Sequence, residues 1–141
     1  MSRVQLALNV SNVDEAVAFY RMLFQTEPTK RRPGYANFAI AQPPLKLVLI
    51  ENPNQAGTLN HLGVEVETSE EVQVATDRFQ QLDFEIKVEE QTTCCYALQD
   101  KVWVHDPDGA PWEFYTVLAN SVMRDQKSTE ATSASVCCPS S

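Results

Sequence analysis

The chain has no apolar run approaching the roughly 20 residues that a membrane-spanning helix needs, so no such span is expected. Basic residues are also few: 11 Lys and Arg stand against 19 Asp and Glu, for a formal charge of −8 and a pI near 4.7. That balance argues against nucleic acid or an anionic membrane surface as partner. The N-terminus lacks a hydrophobic targeting region, since strand-like sequence starts at Arg3. A cytoplasmic location follows as the expectation, with the cysteines as free thiols. Cysteine itself is scarce and oddly placed. All four are spent as adjacent pairs, Cys94-Cys95 within Gln91-Thr-Thr-Cys-Cys-Tyr96 and Cys137-Cys138 before Pro139. Neighbouring cysteines make poor disulfides, because the ring they close is strained. They are better suited to holding one thiophilic atom between two sulfurs, although buried free cysteines also serve as plain hydrophobic filler.

What is present describes a small globular protein. At 141 residues, 43% hydrophobic and 21% charged, the chain makes one domain or two half-domains sharing a core. A shift of 56 residues overlays Val4–Val10 on Asn60–Val66. Both runs alternate like strands and both lead into a capping signal, Asn12 with Glu15 and Thr68 with Glu71. Helical apolar spacing follows at Val13, Ala16, Val17, Tyr20 and Leu23, and again at Val72, Ala75, Phe79 and Leu82. Under the same shift Ala16 meets Val72, Phe19 meets Ala75 and Leu23 meets Phe79. Strand-like runs come next, at Tyr35–Ala41 and Leu45–Glu51, then at Glu85–Glu89, Tyr96–Gln99, Val102–His105 and Trp112–Val117. The expected fold is α+β: two paired β-α-β-β-β units, about 1–53 and 58–118, forming a curved mixed sheet with helices outside. Residues 119–141 read as a flexible tail, because Lys127–Ser141 is rich in Ser, Thr and Ala without an apolar period.

Strand parity separates an apolar face (Val4, Leu6, Leu8, Val10; Leu62, Val64, Val66) from a small, polar one (Gln5, Ala7, Asn9; His61, Gly63, Glu65). The first suits packing under helices and the second suits lining a cavity. Gln5 and His61 occupy equivalent positions in the repeat, and a pseudo-twofold fold would bring them close. Glu113 sits alone among aromatic and apolar residues in Trp112-Glu-Phe-Tyr115, after the turn signal Asp106-Pro-Asp-Gly109. Burying it would demand a cation or donors. It is either a metal ligand or an outward-facing acid on an edge strand. His105 is the one other histidine, read as surface or hydrogen-bonded structure before a ligand. Lys30-Arg-Arg32 reads as a solvated turn before Pro33. Tyr96, Trp103 and Tyr115 are core or pocket wall.

These residues carry a resemblance to the vicinal oxygen chelate superfamily, which includes glyoxalase I, extradiol dioxygenases and fosfomycin-resistance proteins; it spans about residues 3–118. Val4-Gln-Leu6, Asn60-His-Leu-Gly63, Thr92-Thr-Cys-Cys-Tyr96 and Trp112-Glu-Phe-Tyr115 resemble, more closely, the C–As lyases and the related cadmium-induced proteins. The resemblance implies a metal site inside the sheet with Gln5, His61 and Glu113 as Fe(II) ligands. Nickel, cobalt or zinc would substitute in vitro, and O2 would be the co-substrate. Cys94 and Cys95 would clamp a trivalent organoarsenical, methyl or aryl, and Cys137 with Cys138 would be an auxiliary arsenic site or dispensable. Where many members of the superfamily carry a fourth ligand, this chain offers only Glu51 at the end of its run, unlike a four-ligand glyoxalase I. The implied course is thiol capture, delivery to iron, oxygen-dependent cleavage and release of arsenite by a monomer or homodimer. The alternatives are sequestration of cadmium or arsenite without bond cleavage, and other glyoxalase or ring-cleaving chemistry.

One condition comes from geometry. Successive side chains of a regular strand point to opposite faces, so Thr92–Cys95 is expected to be a loop or bulge if both sulfurs are to grip one atom.

Overall fold

A computed structural model of the protein describes residues 2–120 and 125–126. They form two compact units, Arg3–Leu62 and the residues from Gly63 on. The first unit runs β1 (Arg3–Val10), α1 (Val13–Phe24), β2 (Lys30–Arg32), β3 (Tyr35–Ile40), β4 (Leu45–Glu51) and the first part of β5 (Leu59–Glu65). Its strand order is β2-β3-β4-β1-β5, with β1 parallel to β4 and the β2, β3, β4 pairs antiparallel. The second unit continues from β5 through α2 (Ser69–Gln81), β6 (Lys87–Cys94), β7 (Ala97–His105), β8 (Pro111–Asn120) and β9 (Asp125–Gln126). Its order is β5-β8-β7-β6-β9, and β6 is antiparallel to both β7 and β9, as β7 is to β8. The fold is α+β, with the β-α-β-β-β repeat that the sequence displays.

Both helices start where the capping signals lie. Asn12 Oδ1 accepts from the Glu15 amide at 2.9 Å and Thr68 Oγ1 from the Glu71 amide at 3.2 Å, each satisfying a donor that the first turn leaves open. Glu51, at the end of β4, also serves α1: its Oε1 accepts from the Val13 amide at 3.0 Å. That acid is a helix cap on the α1 side of the sheet, which explains why it makes a poor fourth ligand. Helix α1 packs with Leu6, Leu8 and Val10 of β1 over Ala36, Phe38, Ile40, Leu47 and Leu49. Helix α2 buries Val72, Ala75 and Phe79 against Val102, with Val104 and Phe114 beside them.

Three sequence expectations give way. Leu23 and Phe19 are 56% and 55% exposed, and Leu82 is 55% exposed. The buried faces match instead as Val13 with Val72, Ala16 with Ala75, Val17 with Thr76 and Tyr20 with Phe79, out of step with the caps. Such a slip turns one helix by about 60° relative to its cap, so the two helices use different faces. Lys30–Arg32 is an edge strand opposite Asn37–Tyr35 rather than a turn, and Gly34 with φ of 70° makes the turn. Charged residues on an edge strand discourage pairing with another chain. Finally, the runs Tyr96–Gln99 and Val102–His105 merge, from Ala97 on, into one strand, β7, with Asp100 and Lys101 inside it, while Tyr96 lies in the turn before it.

Helix-face assignment is directly testable. Phe79→Ala should lower unfolding free energy by about 3–5 kcal/mol, whereas Phe19→Ala should stay within about 0.5 kcal/mol, both measured by urea titration.

Candidate functional site

Strand register places a polar face in each unit. In the first, Gln5, Ala7 and Asn9 are buried at 4%, 0% and 6% exposure, the reverse of what polar side chains usually do. Gln5 Nε2 lies 3.4 Å from His61 Nε2, and His61 is 2% exposed. The equivalence of these two residues in the repeat is therefore a physical contact. On its other side His61 Nδ1 is 2.8 Å from Asn60 Oδ1.

The second unit buries a charge pair. Cross-strand register puts Trp103 opposite Glu113 and Lys101 opposite Tyr115, so Lys101 and Glu113 share one face of the sheet. Lys101 is 0% exposed and Glu113 3%. Lys101 Nζ donates to Glu113 Oε1 at 2.7 Å and to Cys94 Sγ at 3.3 Å. The same ammonium lies 5.4 Å from the Trp103 ring centre and 5.8 Å from that of Tyr115, within cation–π range. Trp103 and Tyr115 are in turn tied by their polar ends, to Glu89 at 3.3 Å and Glu65 at 3.1 Å. Glu113 thus faces inward, not out from an edge.

The cysteines lie at a tight reversal. Cys94 ends β6 paired with Ala97, and Cys95 and Tyr96 alone make the turn. Both have positive φ, 52° and 65°, as a two-residue hairpin of this hand requires. For side chains other than Gly that conformation costs about 1–2 kcal/mol each. The expected irregularity is split in two. A bulge falls between Glu89 and Thr92, with Gln91 at φ of 50°, and the chain then turns between one cysteine and the next. Thr92 and Thr93 are regular strand. Gln99 Nε2 donates to the Cys94 carbonyl at 2.7 Å. Its Oε1 is, among the described residues, a buried acceptor with no hydrogen-bond partner.

Cys94 and Cys95 are disulfide-bonded, not the free thiols that the sequence suggests. Reduction would return the thiols that a clamp requires. Cys137 and Cys138 lie outside the described residues. His105 is exposed, opposite Pro111 at the end of the β7–β8 hairpin, away from the buried pair. Among the described residues no group of three or more His, Cys, Asp and Glu side chains could hold a metal ion, so a metal set would have to draw on another residue type, such as the Gln5 amide.

Lys101 is the residue that sequence reading passes over. The signal was available: Ala97, Gln99, Lys101 and Trp103 alternate without a break, and the lone acid in β8 demanded a cation.

The chain belongs to the Glyoxalase/Bleomycin resistance protein/Dioxygenase superfamily, whose family profile matches residues 3–114. Within it, the chain is 60% identical over 121 residues to the cadmium-induced protein CadI of Mycobacterium tuberculosis (strain ATCC 25618 / H37Rv), covering 86% of this chain and 80% of that one. It is 55% identical over 122 residues to a trivalent organoarsenical cleaving enzyme of Thermomonospora curvata, covering 86% and 81% respectively. The fold is similar to that of the Mn(II)-bound glyoxalase from Novosphingobium aromaticivorans, with a TM-score of 0.60 at 17% identity over 91% of this chain and 44% of that one. Among the described residues no helix is long and apolar enough to cross a membrane.

The buried pair makes a clear prediction. Lys101→Met should cost about 3–5 kcal/mol by stranding a carboxylate, and adding Glu113→Gln should recover most of it. Equal stability of the single and double variants in urea would refute the pairing.

Proposed function

We propose that this chain is a C–As lyase, a non-haem Fe(II)-dependent dioxygenase converting trivalent organoarsenicals to arsenite in arsenic detoxification. The observation that carries the reading is the single ammonium of Lys101, shared by the Cys94 sulfur and the Glu113 carboxylate. It brings the Cys94 sulfur and a buried acid into one polar cluster, which neither a core filler nor a surface turn requires.

Methylarsenic(III) dihydroxide exchanges two hydroxyls for two thiols and releases two waters, leaving the methyl group on arsenic. Two neighbouring sulfurs match that valence. The Lys101 ammonium lies 3.3 Å from the Cys94 sulfur, and the thiolate is the form that binds. The clamp would need both sulfurs on one side of the reversal that Cys95 and Tyr96 make, and Trp103 and Tyr115 are buried with the acid. Gln5, His61 and Glu113 would hold the metal. The fit rests on two buried heads, an imidazole and an amide, meeting at 3.4 Å, together with a buried carboxylate, a donor set that suits Fe(II) and tolerates nickel, cobalt or zinc. When bound, Fe(II) would supply the electrons that activate O2, a role zinc does not fill. The same reading has the protein acting in the cytoplasm on a small molecule, as monomer or homodimer, without nucleic-acid or membrane partners, and with Cys137 and Cys138 as auxiliary arsenic-binding thiols.

The likeness to a cadmium-induced protein favours one second reading, a thiol trap that binds cadmium or arsenite and breaks no bond.

Reduced, Fe(II)-loaded protein should release arsenite from methylarsenic(III) in air, as resolved by speciation chromatography. Glu113→Gln should bind the arsenical yet lose at least about tenfold in turnover, and Cys94→Ser/Cys95→Ser should lose capture. Undiminished cleavage without O2 would refute the oxygenase. Full cellular protection by Glu113→Gln would favour the trap.

A further inference from the structure

The hydrogen bonds behind His61 have a polarity that can be read from one fixed end. The backbone carbonyl of Gln55 can only accept, so the Thr58 hydroxyl, 2.6 Å away, donates to it. Thr58 Oγ1 then accepts from Asn9 Nδ2 at 2.9 Å, which turns Asn9 Oδ1 the other way. That oxygen accepts from Asn60 Nδ2 at 2.9 Å and from Asn52 Nδ2 at 3.4 Å. Asn60 Oδ1 is thereby directed at His61 Nδ1. An amide oxygen cannot donate, so Nδ1 carries the proton.

We infer that Thr58, Asn9 and Asn60 form a relay of fixed direction that sets His61 as its Nδ1-protonated tautomer and turns the Nε2 lone pair toward Gln5. They are positioning residues for the imidazole, and their bearing on metal affinity rests on the proposed role of His61 as a ligand. Reversal is blocked at each link. A turned Asn9 amide would face the donors of Asn60 and Asn52 with donors of its own. A fully reversed chain would ask the Thr58 hydroxyl to donate both to Asn9 and to the Gln55 carbonyl, and it has one hydrogen. Asn9 and Asn52 are 6% and 9% exposed, so an unmet amide there has little water to turn to. The backbone holds the parts in place: Asn9 N donates to Thr58 O at 2.9 Å, and Gly57 N donates to Asn9 O at 3.0 Å. Gln5 Nε2, 3.4 Å from His61 Nε2, is the donor that an unprotonated Nε2 accommodates. A histidine that ligates through one nitrogen is commonly oriented by an acceptor at the other; here an amide, itself aimed by two further side chains, takes that part.

Long-range 1H–15N correlation spectra of the metal-free protein at about pH 8.5, where imidazoles are ordinarily neutral, read the tautomer directly. His105→Gln identifies the remaining histidine signals. The wild type and Thr58→Ser should show Nδ1–H at His61. Thr58→Val and Asn60→Leu should populate Nε2–H and weaken Mn(II) binding about tenfold, followed by EPR titration. Mn(II) is chosen as a hard ion that leaves thiols aside. An Nε2–H tautomer in the wild type, or unchanged tautomer and affinity in both folded Thr58→Val and Asn60→Leu, overturns the relay. Mn(II) that leaves the His61 signals unbroadened in the wild type removes the ligand role instead, and the tautomers alone then decide the relay.

Discussion

A carboxylate and an ammonium held 2.7 Å apart, both nearly without solvent contact, impose the tightest constraint on this molecule. Removing each ion from water costs several kcal/mol, and their attraction repays that only with good geometry and further donors. Lys101 meets those terms with the Glu113 oxygen, the Cys94 sulfur and two aromatic faces. As a device for stability such a pair is weak, since apolar residues would fill the same space at lower cost. It also sets a cation between a sulfur and an acid. On the proposed reading, a metal at Glu113 competes with Lys101 for the carboxylate, and the Cys94 sulfur is already within the ammonium's reach.

The two units solve the same problem in different ways. Each puts a helix on one face of its strands and fills that side with aliphatic and aromatic residues. Each then buries polar groups on the opposite face. In the first unit those groups are neutral, and amides and a hydroxyl satisfy one another in a single direction around His61. In the second they are charged and meet at Lys101. Backbone strain is stored beside the charges, where Cys95 and Tyr96 hold a conformation normally left to Gly or Asn. Strain of this kind persists where the surroundings over-determine it, and it accompanies function more often than packing.

Much of this was legible in the chain. Period-two alternation gave the parity of β1 and β5, and with it the contact between Gln5 and His61. The capping residues located both helix starts, because a capping oxygen acts over one turn and needs no tertiary partner. Local signals do not say which helical face is buried, since that depends on how each helix lies on its sheet; Leu23 and Leu82 keep the apolar spacing yet are exposed for that reason. Lys101 was hidden by the ordinary expectation that lysine breaks a strand or faces water, so β7 was read as two pieces. The Asn60–Asn9–Thr58 relay depends on side chains far apart in sequence. Its members look like common loop polar residues until the fold sets them side by side.

The central claim is that the Cys94–Cys95 pair seats the arsenical against the Lys101–Glu113 cluster. Arsenic K-edge X-ray absorption tests it most directly, on reduced Cys137→Ser/Cys138→Ser protein carrying one equivalent of methylarsenic(III). The account predicts two sulfurs and one carbon around each arsenic. A single sulfur with an oxygen in place of the other would contradict it.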